Sequence, residues 1–63
     1  MSVNRSEVKR VTGELENAQT VIIEMLELPE YDYMTEEQRG ALNVTLETIT
    51  ERIDFYRQLV GFL

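Results

Sequence analysis

Twelve carboxylates, with no histidine and no cysteine, set the chemistry open to this chain. Glu24, Glu27, Glu30, Asp32, Glu36 and Glu37 crowd one stretch of sequence, and Glu47, Glu51 and Asp54 follow at i, i+4, i+7. Paired carboxylates serve as general acid and base when a pocket shifts their proton affinities apart. They also collect cations. Thiolate and imidazole metal sites are closed to this composition, and so is the Glu-x-x-His motif of di-metal helical bundles. Neither a Ser-His nor a Cys-His nucleophile pair can form, and glycine-rich phosphate loops are lacking. The expectation is a protein that is not an enzyme, with no cofactor and no dedicated metal site.

What remains for the carboxylates is recognition. Residues 1–10 sum to +2, residues 11–38 to −8 and residues 39–63 to zero, for a net charge of −6. Such polarity attracts basic surfaces and repels nucleic acid and anionic lipid. Direct nucleic-acid binding is disfavoured further, because affinity there comes from Lys and Arg neutralising phosphates. A row such as Glu47, Glu51 and Asp54 sets charges about 5–6 Å apart, a spacing with which an acidic protein can imitate a nucleic-acid backbone. Arg52 and Arg57 interrupt that row in the sequence.

The elements that must position these groups are helices. Val8, Val11, Leu15, Ala18, Ile22 and Met25 are spaced 3, 4, 3, 4, 3, and Leu42, Leu46, Ile49, Ile53, Tyr56, Val60 and Leu63 are spaced 4, 3, 4, 3, 4, 3. Both are heptad seams, the mark of helices packed side by side at a shallow angle. Asn4 caps the first helix with Glu7 three residues on. Leu28-Pro29 ends it, since proline disfavours helical backbone in the residue before it. Thr35 and Gln38 form a capping box for the second helix, and Glu36 and Glu37 suit its dipole. Gly61 fits a C-terminal cap with Phe62 folded back on the last turn. Gly13 and Gly40 lie inside the predicted helices and read as surface positions, the alternative being close approach of a helix or contact with a partner.

The resulting expectation is an all-α fold: one domain over 1–63, with helix one about 5–28, a turn over 29–35 and helix two about 36–60. Equal helices and a short connection give an antiparallel two-helix hairpin. A chain this short buries only ~60% of its unfolded surface and is marginal alone. Apolar residues beyond one seam, namely Val21, Ile23, Leu26, Phe55, Leu59 and Phe62, with Val44 near them, point to further neighbours. Pairing into a homodimeric four-helix bundle would bury them.

At the turn end of such a hairpin Glu24, Glu27, Glu30, Tyr31, Asp32, Tyr33, Glu36 and Glu37 converge, while Arg5, Lys9, Arg10 and Arg57 gather at the other end. Tyrosines give stiff contact area and carboxylates pair with Arg and Lys. The functional expectation is therefore an acidic regulator, an inhibitor or adaptor, that offers this end to a basic site on another protein, including as a nucleic-acid mimic. The alternative is a structural subunit docked through Phe55, Leu59 and Phe62. No run approaches the ~20 apolar residues of a membrane span, and Met1 to Arg10 lack the apolar core of a signal peptide. No membrane partner and a cytoplasmic location follow as expectations, which leaves the Asn43-Val44-Thr45 glycosylation sequon idle.

Overall fold

In a computed structural model, residues 3–63 form two long helices joined by a single turn of 3-10 helix. Met1 and Ser2, the start of the polar N-terminal segment, lie outside the described residues. Helix α1 spans Arg5–Glu27 and helix α2 spans Glu36–Phe62, with the 3-10 turn over Pro29–Tyr33 between them. The two helices pack against each other as a hairpin 44 Å long, 19 Å wide and 16 Å thick.

The ends of the helices follow from side-chain chemistry. Asn4 is extended, and its Oδ1 accepts the Glu7 N–H at 2.8 Å, which satisfies one of the free donors at the start of α1. At the other end Leu28 leaves the helix for extended backbone, as a residue before proline tends to. The helix thus stops at Glu27, one residue short of the expected bound. Pro29 then opens the 3-10 turn, where its missing N–H is no loss. Tyr31 N–H donates to the Leu28 carbonyl at 3.0 Å and Met34 N–H to the Tyr31 carbonyl at 3.2 Å, so the connection is hydrogen-bonded along its length. Thr35 and Gln38 close the capping box in both directions, at 3.1 and 3.0 Å.

The far end of α2 corrects the expected cap. Gly61 has no positive φ, the helix runs on to Phe62 instead of ending near residue 60, and the Phe62 ring is 88% exposed. Glycine permits the left-handed backbone without requiring it. Staying helical keeps the bonds of the last turn, against a propensity cost of roughly 1 kcal/mol.

Both heptad seams meet at the interface. Val8, Ile22 and Ile53 are buried, and Val11, Leu15, Ala18, Met25, Leu42, Leu46, Ile49, Tyr56 and Val60 are half-buried around them. Leu63, the last seam position, stays exposed. Thr12 is also buried, a polar residue the apolar pattern passes over. Its hydroxyl donates to the Val8 carbonyl one turn back at 2.7 Å, which removes the penalty of burying it. A core this thin matches the size of the chain: among the described residues no side chain reaches complete burial.

Candidate protein-binding surfaces

The end of the hairpin holds the carboxylates in an open arrangement. Glu24 and Glu27 come from the last turn of α1, Glu30 and Asp32 from the 3-10 turn, and Glu36 and Glu37 from the first turn of α2; all six are exposed. Among the described residues the ion pairs are Arg10 with Glu7 and Glu14, and Arg57 with Glu16, so none of the six takes part. The one basic residue nearby in sequence, Arg39, sets its guanidinium 5.9 Å from the centre of the Tyr31 ring. No group of three carboxylates among the described residues comes together as a metal site.

The two tyrosines of this end differ in placement. Tyr31 is half-buried against α2, where its hydroxyl accepts from Asn43 Nδ2 at 3.2 Å, and the same amide group donates to the Arg39 carbonyl at 2.9 Å. Tyr31 therefore fastens the turn to α2. Tyr33 is 89% exposed and belongs to the same 3-10 turn as Glu30 and Asp32. Met34 folds inward instead and, with Met25, Ala41 and Leu42, lines an open apolar groove of about 390 Å³ beside the acidic end.

The opposite end is partly neutralised. Arg10 donates to Glu14 at 2.9 Å and to Glu7 at 3.2 Å. Hydrogen bonding to Glu7, then the charges of Glu7 and Glu14, hold its guanidinium still further toward the protonated form. Arg57 reaches across from α2 to Glu16 at 3.2 Å.

Along its length the hairpin has two unlike broad sides. One carries Thr12, Glu16 and Gln19 from α1 against Asn43, Thr50 and Arg57 from α2, and here the helices are bridged by polar bonds: Gln19 Nε2 to Thr50 Oγ1 at 3.0 Å and Arg57 to Glu16. The other carries Val11, Ala18 and Met25 against Leu42, Ile49 and Tyr56, each set repeating every seven residues. Two grooves open on this apolar side, one at Met25 and Leu42 and one of about 260 Å³ at Val11, Tyr56 and Leu59. At about 100° per residue, Val21, Phe55, Leu59 and Phe62 extend the same side outward. Ile23 and Leu26 turn toward the polar side, so the six expected docking residues divide four to two. Arg52 also turns to the apolar side, away from Glu47, Glu51 and Asp54, while Arg57 is tied to Glu16. Arg57 nevertheless stands one turn from Asp54, at the end of the second acidic row.

The division into sides escaped a reading built on seams alone. Its signal lies in the columns next to the seam: Thr12 and Gln19, with Asn43, Thr50 and Arg57, are polar, Leu26 being the exception near the turn, whereas the facing columns are apolar at every step. The three glycines carry no close contact, since a Cβ at Gly13, Gly40 or Gly61 would meet nothing within 4 Å.

Set against protein-family models, curated proteins and solved structures, the chain has no match in any of the three comparisons. No helix among the described residues is long and apolar enough to cross a membrane.

Proposed function

We propose that this protein is a non-enzymatic, self-associating regulator, an inhibitor or adaptor, whose acidic end binds a basic site on another protein. The observation that carries this reading is the set of six exposed carboxylates without a basic partner, grouped around the exposed Tyr33. Unpaired carboxylates keep their capacity to accept charge-assisted hydrogen bonds from Arg and Lys. Their concentration at one end steers a basic partner toward it and raises the rate of encounter. Tyr33 adds apolar contact area with few torsions to fix. Competition with nucleic acid for a basic groove is one form this action takes. Self-association into a four-helix bundle supplies the burial that a single hairpin lacks.

A photo-crosslinking amino acid at Tyr33 in the full chain, expressed in its own host, tests the reading. A discrete adduct with a basic protein is expected, and it should vanish in the variant Glu30→Lys, Asp32→Lys, Glu36→Lys, Glu37→Lys. An adduct indifferent to charge reversal sinks the proposal.

The exposure of Phe55 and Phe62 favours a second reading, a structural subunit docked by its apolar side. Under it, crosslinks form from positions 55 and 62 and survive the charge reversal.

A further inference from the structure

We infer that two copies of the hairpin pair face to face through the apolar side, antiparallel, about a two-fold axis that crosses the middle of that side near Ala18 and Ile49. This rests on the self-association proposed above and specifies its face and its polarity. Each acidic end then lies beside the basic end of the other copy, and the dimer carries one acidic, tyrosine-bearing end at each extremity.

Three observations lead to it. The first is extent. A standard interface takes roughly 800 Å² from each partner, and one broad side of a body 44 Å by 19 Å offers about that much. The apolar side is the one suited to the purpose. Val11, Ala18, Met25, Leu42, Ile49 and Tyr56 run along it, and its two grooves lie toward opposite ends, where ridges of a second hairpin can enter. On the polar side, by contrast, Gln19 bonds to Thr50 and Arg57 to Glu16 across the seam, and the groove of about 280 Å³ there is lined by Lys9, Thr12, Glu16 and Arg57, charged and polar groups that an apolar ridge would desolvate.

The second observation is charge. Residues 24–39 sum to −5 and residues 3–12 to +2. A two-fold axis along the helices would also bury the apolar side, but it would bring both −5 segments to the same end. Charges within a Debye length of ~8–10 Å repel each other with little screening. An axis across the helices sets each −5 segment beside the other copy's partly neutralised basic end, so the repulsion between acidic ends is removed while the buried area stays the same.

The third is the centre of the side. Ala18 stands where the axis crosses α1, and a residue this small lets two helices approach closely. Arg52 is the one charge near the middle. Its apolar stem can lie along the interface with the guanidinium at the rim. Glu7 and Glu14 border the side and are held by Arg10.

The consequence is a bivalent ligand. One dimer presents two acidic ends separated by about the 44 Å length of the hairpin, and so bridges two basic sites on different molecules or on one extended surface.

The chain has no cysteine, so Tyr33→Cys creates a unique thiol at an exposed site that takes no part in the seam. Sedimentation equilibrium of the nitroxide-labelled chain, with electron–electron double resonance on the same sample, decides the matter. The expected result is a dimer with a label separation of about the 44 Å hairpin length or more. Adding Thr45→Arg and Thr48→Arg, both exposed on the apolar side of a single hairpin, should dissociate it. Adding Thr20→Arg on the polar side should leave mass and distance unchanged. A separation within roughly two helix diameters, about 20–25 Å, overturns the antiparallel arrangement and leaves self-association standing. A dimer indifferent to Thr45→Arg and Thr48→Arg overturns the choice of face. A monomer up to ~100 μM overturns self-association and this inference with it. Should the arginine variant unfold, the label separation in the otherwise unchanged chain still decides the arrangement.

Discussion

The two broad sides of the hairpin are made by the same pair of helices and face the same solvent, yet they are finished differently. On one side the residues next to the seam, Leu26 apart, are threonine, glutamine, asparagine, glutamate and arginine, and two pairs of them, Gln19 with Thr50 and Arg57 with Glu16, bond across it. On the other they are valine, alanine, methionine, leucine, isoleucine and tyrosine, with two open grooves against the one beside Lys9, Glu16 and Arg57 on the polar side. A surface bridged by its own hydrogen bonds and lined by charges gains less from a further neighbour, whereas an apolar surface gains in proportion to the area removed from water. The contrast separates a side finished by the chain itself from a side that a second molecule would finish.

Substitutions can break or sharpen that contrast. The largest effect belongs to the seam the two sides share: Ile53→Ala should lower unfolding free energy by about 3 kcal/mol in urea titration, because Ile53 is only 4% exposed. On the apolar side, Leu59→Ala should cost about 2 kcal/mol at high protein concentration and less on dilution, since part of its burial comes from association. Equal losses at all concentrations would confine Leu59 to the single hairpin and blur the difference between sides. Gly13→Ala should stabilise by about 1 kcal/mol, visible as a raised Tm, because the added methyl meets open space and the helix gains propensity. The smallest effect is expected on the polar side. Arg57→Ala removes an exposed ion pair with Glu16 and should change stability by less than about 0.5 kcal/mol, and less still in high salt. A larger loss from Arg57→Ala than from Leu59→Ala would reverse the ranking of the two sides.

Much of the hairpin was legible in the sequence because its signals are local. Asn4, Pro29 and the Thr35–Gln38 box act within four residues of themselves, and the heptads Val8 to Met25 and Leu42 to Val60 need only a helical period. The missed end of α2 has a different origin. Gly61 makes a left-handed cap available without requiring one, so residue type alone could not fix the stop. Thr12 was passed over for a related reason: its hydroxyl is satisfied by its own helix, and polarity then ceases to predict exposure. At the acidic end the sequence assigns the six carboxylates to the turn and the helix ends beside it, and all six are exposed. It could not separate Tyr31 from Tyr33, because that depends on which ring meets Asn43 and Arg39 across the hairpin.

The 3-10 turn over Pro29–Tyr33 has a bearing on how anything binds there. A slack loop of the same five residues would surrender roughly 1–2 kcal/mol of backbone entropy for each residue fixed by a ligand. Here the Leu28 and Tyr31 carbonyls and the Tyr31–Asn43 bond already hold the backbone, so most of that loss is incurred during folding. Whatever docks on Glu30, Asp32 and Tyr33 meets a backbone set in advance, so that of the ordering costs on this protein's side chiefly the side-chain rotamers remain, beside the loss of rigid-body freedom and the desolvation that every association carries.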